Sequence, residues 1–475
     1  MNEASKELRI YQTSSELERL RDALKKWQQK RTGSDREANG KYRGQYQSQV
    51  ALIVNEVSGA ADTIEANLKE LTDQLPNLSL GSVFQDCARN DRRIIWLWQA
   101  WEYFREKFDQ RDDPDLASSV RAADEVLWSC YKPFFEATGI TMPPAPLPYI
   151  EHTYSPTAVR PDQSSHIEKE EEIDEGPLKR FFANLPLPLL QLPPTVVSAP
   201  WAHVLIGHET GHFIQDLIQP KGGYRKIFRE KVQAAAKRIS PDAESVWGKW
   251  APEIFADLFS VLAMGPWAVW VMGQFELARP GKCTTRGTNY PSALTRIFLM
   301  AQFAAKAGLG NAADLATEAG LDPTLAADSE EVKTDLKIAE EVAALIDDSL
   351  PDGLPLLREM LDFKAADYKP EIGLENAGEV VQWASALIGG TAKADDTNLR
   401  TARMVAAGAA QAWKEVTVMP GGPAREDALR FLRKDVFPHM IACAEGGKRA
   451  GVSQPGGQVP LGKIIFELGD DELFG

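Results

Sequence analysis

Two histidines four residues apart, His208 and His212, interrupt an apolar run from Trp201 to Ile218, and that spacing restricts the fold more than any other feature of the chain. Residues i and i+4 of an α-helix lie about 40° apart, so on a helix both imidazoles reach one point. The run has the length and apolar content of a buried helix, and Ser198-Ala199-Pro200 before it supplies a capping serine and an early proline. His208 and His212 are then placed to hold a metal, and Glu209 to face a metal-bound water as general base. The plainer alternative is a helix with two satisfied core histidines and an exposed glutamate.

A catalytic zinc takes three protein ligands and keeps one position open, so a third donor is required. A metzincin supplies a histidine six residues past the second, with a glycine midway; here those positions are Ile218 and Gln215, which excludes the pattern. Asp216 continues the helical stripe a turn further on and suits a supporting or surface role. A better donor lies in Glu253-Ile254-Phe255-Ala256-Asp257, where two carboxylates at i and i+4 interrupt a strongly apolar helix. Buried acids need partners. A metal for Glu253 and an imidazole N–H for Asp257 satisfy both, the second fixing the tautomer of a ligating histidine. The alternative is a helix N-terminus, with Pro252 in the first turn and the acids complementing the dipole.

HExxH followed by ExxAD on a second helix resembles the gluzincin metallopeptidases, the class that includes thermolysin-like enzymes and the HtpX and CAAX-prenyl-protease relatives. The resemblance covers roughly residues 190 to 300. It implies zinc as cofactor, His208, His212 and Glu253 as ligands, Glu209 as base, and Asp257 as the partner of His208. Tyr290-Pro291-Ser292 with Arg296-Ile297 is similar to the HPS...RI segment of the HtpX-like family, with Tyr290 where that family has histidine. A phenol O–H still donates to a tetrahedral oxyanion, and Arg296 is a second candidate for that role, or a partner for a carboxylate of the site or substrate. The alternative for this pair is a core tyrosine and a surface arginine. HtpX-type relatives are membrane proteins, whereas this chain offers no convincing span. Leu258 to Phe275 carries no charge, but Gly265-Pro266 and Gly273 break it, and it reads as buried core.

The rest of the chain supplies the setting. At 475 residues it exceeds one ordinary core and predicts two or three units. Residues 1–140 read as a helical N-terminal domain, with Leu17, Leu20 and Leu24 on one face. Pro143, Pro144, Pro146 and Pro148 mark its end. Residues 141–310 are expected, on that resemblance, to form a zincin-like metallopeptidase core, with a mobile acidic loop over 154–176 around Glu168 to Glu172. Within it Leu185 to Ser198, proline-interrupted and β-branched at Thr195-Val196-Val197, predicts a short edge strand able to bind substrate backbone. Residues 311–475 read as a helical C-terminal domain, through Leu336–Leu350, Ala377–Leu387 and Ala402–Trp413. The expected fold is therefore mainly α, with α+β character in the catalytic core and a small sheet.

A net charge of −15 argues against nucleic acid and for a protein or peptide substrate. The dispersed Cys87, Cys130, Cys283 and Cys443 form no disulfide framework or thiolate zinc site, and a reducing compartment fits. The N-terminus lacks an apolar h-region, so the cytoplasm is the expected location. His203 faces away from His212 and predicts a packing role; His152, His166 and His439 have no ligand spacing. The expected activity is zinc-dependent hydrolysis of a peptide bond. Two rivals stand beside it: a helical interaction protein carrying an inactive metallopeptidase-like zinc domain, and a zinc hydrolase of a non-peptide amide.

Overall fold

Leu17, Leu20, Leu24 and Trp27 recur at three- and four-residue steps, so a helix over them shows one apolar face, and that face is buried. The same logic runs through most of the molecule. A computed structural model describes residues 2–32, 46–159, 187–218, 223–277, 283–322, 329–348, 350, 354, 356, 378–392, 401–443 and 461–466. Its α-helices begin with α1 (Asn2–Thr32), α2 (Gln47–Asp73), α3 (Leu80–Asp109) and α4 (Ala117–Thr138). The middle of the chain forms α5 (Ile206–Leu217), α6 (Tyr224–Ile239), α7 (Glu244–Met264), α8 (Trp267–Glu276) and α9 (Ala293–Lys306). Then come α10 (Ala312–Glu318), α11 (Glu330–Val342), α12 (Gly378–Ile388), α13 (Ala402–Val418), α14 (Pro423–Lys434), α15 (Val436–Ala442) and α16 (Leu461–Phe466). The molecule is mainly helical, as the periodicities predict.

Among the described residues three short strands make one sheet: β1 (Leu147–Ile150), β2 (Thr157–Val159) and β3 (Leu189–Leu192). The order is β1-β3-β2, with β1 parallel and β2 antiparallel to β3, and Pro148 and Ala158 both opposite Leu190. Two expectations are corrected here. The strand within Leu185–Ser198 is central, not an edge, because Pro188 and Pro193 flank Leu189–Leu192 and leave its ladder donors intact. Thr195-Val196-Val197 belongs to a 3-10 turn over Pro194–Val197. The proline tolerated inside a strand is instead Pro148, on the edge strand β1. The start of the predicted mobile loop is ordered too, since Thr157–Val159 pairs with β3; residues 160–176 lie outside the described residues.

The sheet separates the two larger of the three apolar cores seen among the described residues. Leu189, Tyr149 and Val159 join the smaller of these two, with α1, α2 and α3. Leu190, Ile150 and Ala158, one residue along each strand, join the larger one. Successive strand side chains point to opposite faces, so strands buried on both sides read as unbroken apolar runs such as Leu189-Leu190. The larger core takes in α4, which precedes the proline-marked boundary, and continues without a break into α11–α15 beyond residue 311. Fully buried Phe255 and Phe259 of α7 lie within it, each contributing about 1.5–3 kcal/mol of burial. The uncharged run Leu258–Phe275 is split at Gly265-Pro266 between α7 and α8. Among the described residues no helix is long and apolar enough to cross a membrane.

Candidate metal centre

α5 lies along α7 at backbone distance. A Cβ on Gly211 would stand 2.8 Å from the Ala256 Cα and 3.0 Å from the Phe259 Cβ, closer than carbon atoms pack, so only glycine allows this approach. The α-helix is shorter at its start than the apolar run predicts. Pro200–Leu205 winds as a 3-10 turn, and the Ser198 hydroxyl donates to the Thr195 carbonyl rather than capping a helix. His208, Glu209 and His212 all fall within the regular part. Glu253 and Asp257 sit well inside α7, which begins at Glu244, so they are not acids of a helix N-terminus.

This crossing brings the predicted ligands together. The His208 Nε2 lies 3.2 Å from the Glu253 Oε2, and the His212 Nε2 lies 3.5 Å from the same oxygen. One donor atom from each of the three residues falls within 4.8 Å of the others, a grouping able to hold a metal ion. Behind it, the His208 Nδ1 is 2.8 Å from the Asp257 Oδ1. Arg296 clasps Asp257 with two hydrogen bonds, Nε to Oδ2 and Nη2 to Oδ1, both 2.8 Å. Its Nη1 donates to the Glu276 Oε1 at 2.9 Å.

The electrostatics follow from that geometry. Burial pulls the His208 imidazole down, but the carboxylates of Asp257 and Glu253 outweigh it and raise the group to about 10. Burial pushes the Glu253 carboxyl up, yet His212 and His208 hold it well below the usual range. Asp257 is likewise lowered against burial, by Arg296 and His208. The centre favours a cation, be it a proton or a metal. The fit is geometric: the buried Glu253 Oε2 is faced by the Nε2 atoms of both histidines, so the donor atoms of the three side chains converge on one point. An imidazole, imidazole and carboxylate set, with a carboxylate orienting one ring from behind, suits zinc by donor chemistry.

Tyr290 stands at the rim. It is 42% exposed, and the Arg296 guanidinium lies over its ring, 5.4 Å from the centroid. The charge of Glu253, then burial, push its phenol up to about 12, with Glu209 and Glu276 adding to the effect. It is a protonated donor at neutral pH. Arg296 is only 4% exposed, and its Nε, Nη1 and Nη2 are directed at Asp257 and Glu276, the pairing with carboxylates of the site that the sequence offered as one role for it. Glu276 was missed by sequence reasoning; twenty residues from Arg296 and at the end of α8, it carries no spacing signal.

The remaining candidates lie elsewhere. Asp216 pairs with Arg225 at 3.2 Å, outside the centre. His203 is fully buried, its Nε2 3.1 Å from the Ser119 carbonyl, and His439 packs edge-on against Trp383. His152 is exposed, and His166 lies outside the described residues. No family model, no curated protein and no solved structure matches the chain.

Proposed function

We propose that the protein is a zinc-dependent metallopeptidase of gluzincin type, with a zincin-like core made of α5, α7 and the small sheet. The observation that carries this reading is the convergence of His208, His212 and Glu253 on one buried point, with Glu209 on the helical turn between the two histidines. Those three side chains are the ligands. A zinc ion held there supplies Lewis acidity towards a carbonyl oxygen and lowers the pKa of water towards about 7.

The protein's own groups account for the rest. Glu209 accepts the proton of the attacking water on its carboxylate and delivers it to the amine nitrogen as the C–N bond breaks. Asp257 accepts the His208 Nδ1–H, which leaves Nε2 as the lone-pair donor, and Arg296 keeps Asp257 in place. The Tyr290 O–H donates to the oxyanion of the tetrahedral species. Among the described residues β2 is an edge strand and packs against α5, so an extended peptide adding to the sheet there would run beside the metal helix. This geometry favours a peptide over a small amide.

The test pairs metal analysis of the purified protein with a peptide-library digest by wild type and Glu209→Gln. Zinc at about one equivalent in both, with cleavage lost in the variant, is the expected result. Absence of metal, or equal cleavage by both proteins, rules the reading out.

A further inference from the structure

Tyr290 is carried by a segment that is pinned at several points, and the pins do not come from the metal helices alone. Arg286 donates from Nε and Nη2 to the two carboxylate oxygens of Asp335 on α11, at 2.7 Å each. Asp335 is fully buried, and its Oδ1 also accepts the Trp247 indole N–H of α7 at 2.9 Å. The Arg286 Nη1 pairs with Glu331, one turn earlier on α11. The next residue is held as well: the Trp250 indole of α7 donates to the Gly287 carbonyl at 3.2 Å, and the Gly287 N–H donates to the Tyr290 carbonyl at 3.0 Å. That last bond closes a tight turn in which a Cβ on Gly287 would stand 3.1 Å from the Tyr290 carbonyl oxygen. Beyond Tyr290, the Ser292 side chain caps α9, the helix of Arg296.

We infer that Arg286, Asp335 and Trp250 form a clamp that holds the Tyr290 turn against the metal centre, making α11 a positioning element of the active site. The inference rests on the peptidase reading above for the role of Tyr290. Its logic is one of shared reference points. Trp247 and Trp250 stand six and three residues before Glu253 on the same helix, so the clamp registers the turn against the helix that supplies the carboxylate ligand. A bidentate guanidinium–carboxylate pair fixes direction as well as distance, which a single lysine contact does not. Without the clamp, the turn keeps its internal Gly287–Tyr290 bond, its tie from the Leu294 N–H to the Cys283 carbonyl and Arg296 beneath the ring, but loses its link to α7 and α11 on the Arg286 side. Arg286 touches none of the ligands in this arrangement and acts through Tyr290.

The test uses the full-length zinc-loaded protein and two readouts. Hydrogen exchange of the amides between residues 283 and 292 is expected to accelerate in Arg286→Gln, with α5 unchanged. Exchange at the wild-type rate overturns the clamp. In kinetics, Tyr290→Phe is expected to lower kcat about 100-fold, the usual scale for one oxyanion donor. Arg286→Gln is expected to lower kcat at least tenfold with zinc content and KM retained, and the double variant to fall no further than Tyr290→Phe alone. Multiplicative losses, or full kcat in Arg286→Gln, overturn it. If that variant fails to fold because Asp335 is left with a buried lone charge, Arg286→Gln combined with Asp335→Asn removes both charges and carries the same comparisons. A wild type that cleaves nothing removes the peptidase reading instead, and the exchange measurement alone then decides whether the clamp holds the turn.

Discussion

Two buried arginines, Arg111 and Arg296, each hold an aspartate in a two-point grip, and they lead to different conclusions. Arg111 donates to both oxygens of Asp124, at 3.0 and 2.7 Å, and to the carbonyls of Lys107 and Pro148. Tyr46 donates to the same carboxylate. The network joins α2, α3, α4 and β1, one positive charge meets one negative, and each donor of the pair has an acceptor. Arg296 meets Asp257 and Glu276 and lies 3.9 Å from Glu253, so one guanidinium faces three carboxylates. Beside it, the Glu253 Oε2 faces the Nε2 atoms of His208 and His212. A buried charge cluster that is neutral and saturated is architecture. One whose carboxylates outnumber its guanidinium, with donor atoms converging beside it, has the charge to suit a cation.

Substitutions that treat the two clusters alike test that distinction. Glu253→Ala should produce the largest change, a fall in zinc from about one equivalent to near none after dialysis, read by elemental analysis. Retained zinc would make Glu253 part of the architecture instead. At the other arginine, Arg111→Met should destabilise folding by about 3–5 kcal/mol in denaturant titration, because the buried Asp124 loses its countercharge. Zinc content should stay unchanged. Combining it with Asp124→Leu should recover most of that loss.

A third buried group, His203, has neither cluster's charge balance and sharpens the contrast through pH. Burial lowers it to about 4 from an ordinary 6.5, so the unfolded chain takes up a proton at a pH where the folded one does not. Between those values the unfolded state binds more protons, and stability rises with pH. Acidification from pH 6.5 towards 4 should therefore cost up to roughly 3 kcal/mol from this residue. Equilibrium unfolding at several pH values should show the slope reduced in His203→Gln. The smallest effect expected is that of Asp257→Asn, a 10- to 100-fold weakening of zinc affinity by competition with a chelator, since the ligands stay and only their orienting partner changes.

What the sequence made legible was local. His208 with His212, and Glu253 with Asp257, are read from an i, i+4 interval, and helical geometry turns such an interval into a shared face. Leu17, Leu20 and Leu24 reveal α1 for the same reason. Arg286 and Asp335, or Glu276 and Arg296, meet only through the packing of separate helices, and no interval announces them. The sheet failed in an intermediate way. Prolines near Leu189–Leu192 argued for an edge, but they flank the strand, and its true neighbours at 147–150 and 157–159 are too short to show alternation.

The contact at Gly211 carries a consequence for how this centre tolerates change. Because α5 and α7 meet through main chain at Gly211 and Ala256, the gap between the histidine pair and Glu253 is gauged by the two backbones rather than by an intervening layer of side chains. Rotamer shifts elsewhere in the core do not alter that gauge, whereas one added methyl group at 211 must part the helices. The bite presented to an ion is thus set by the thinnest spacer the amino-acid alphabet contains.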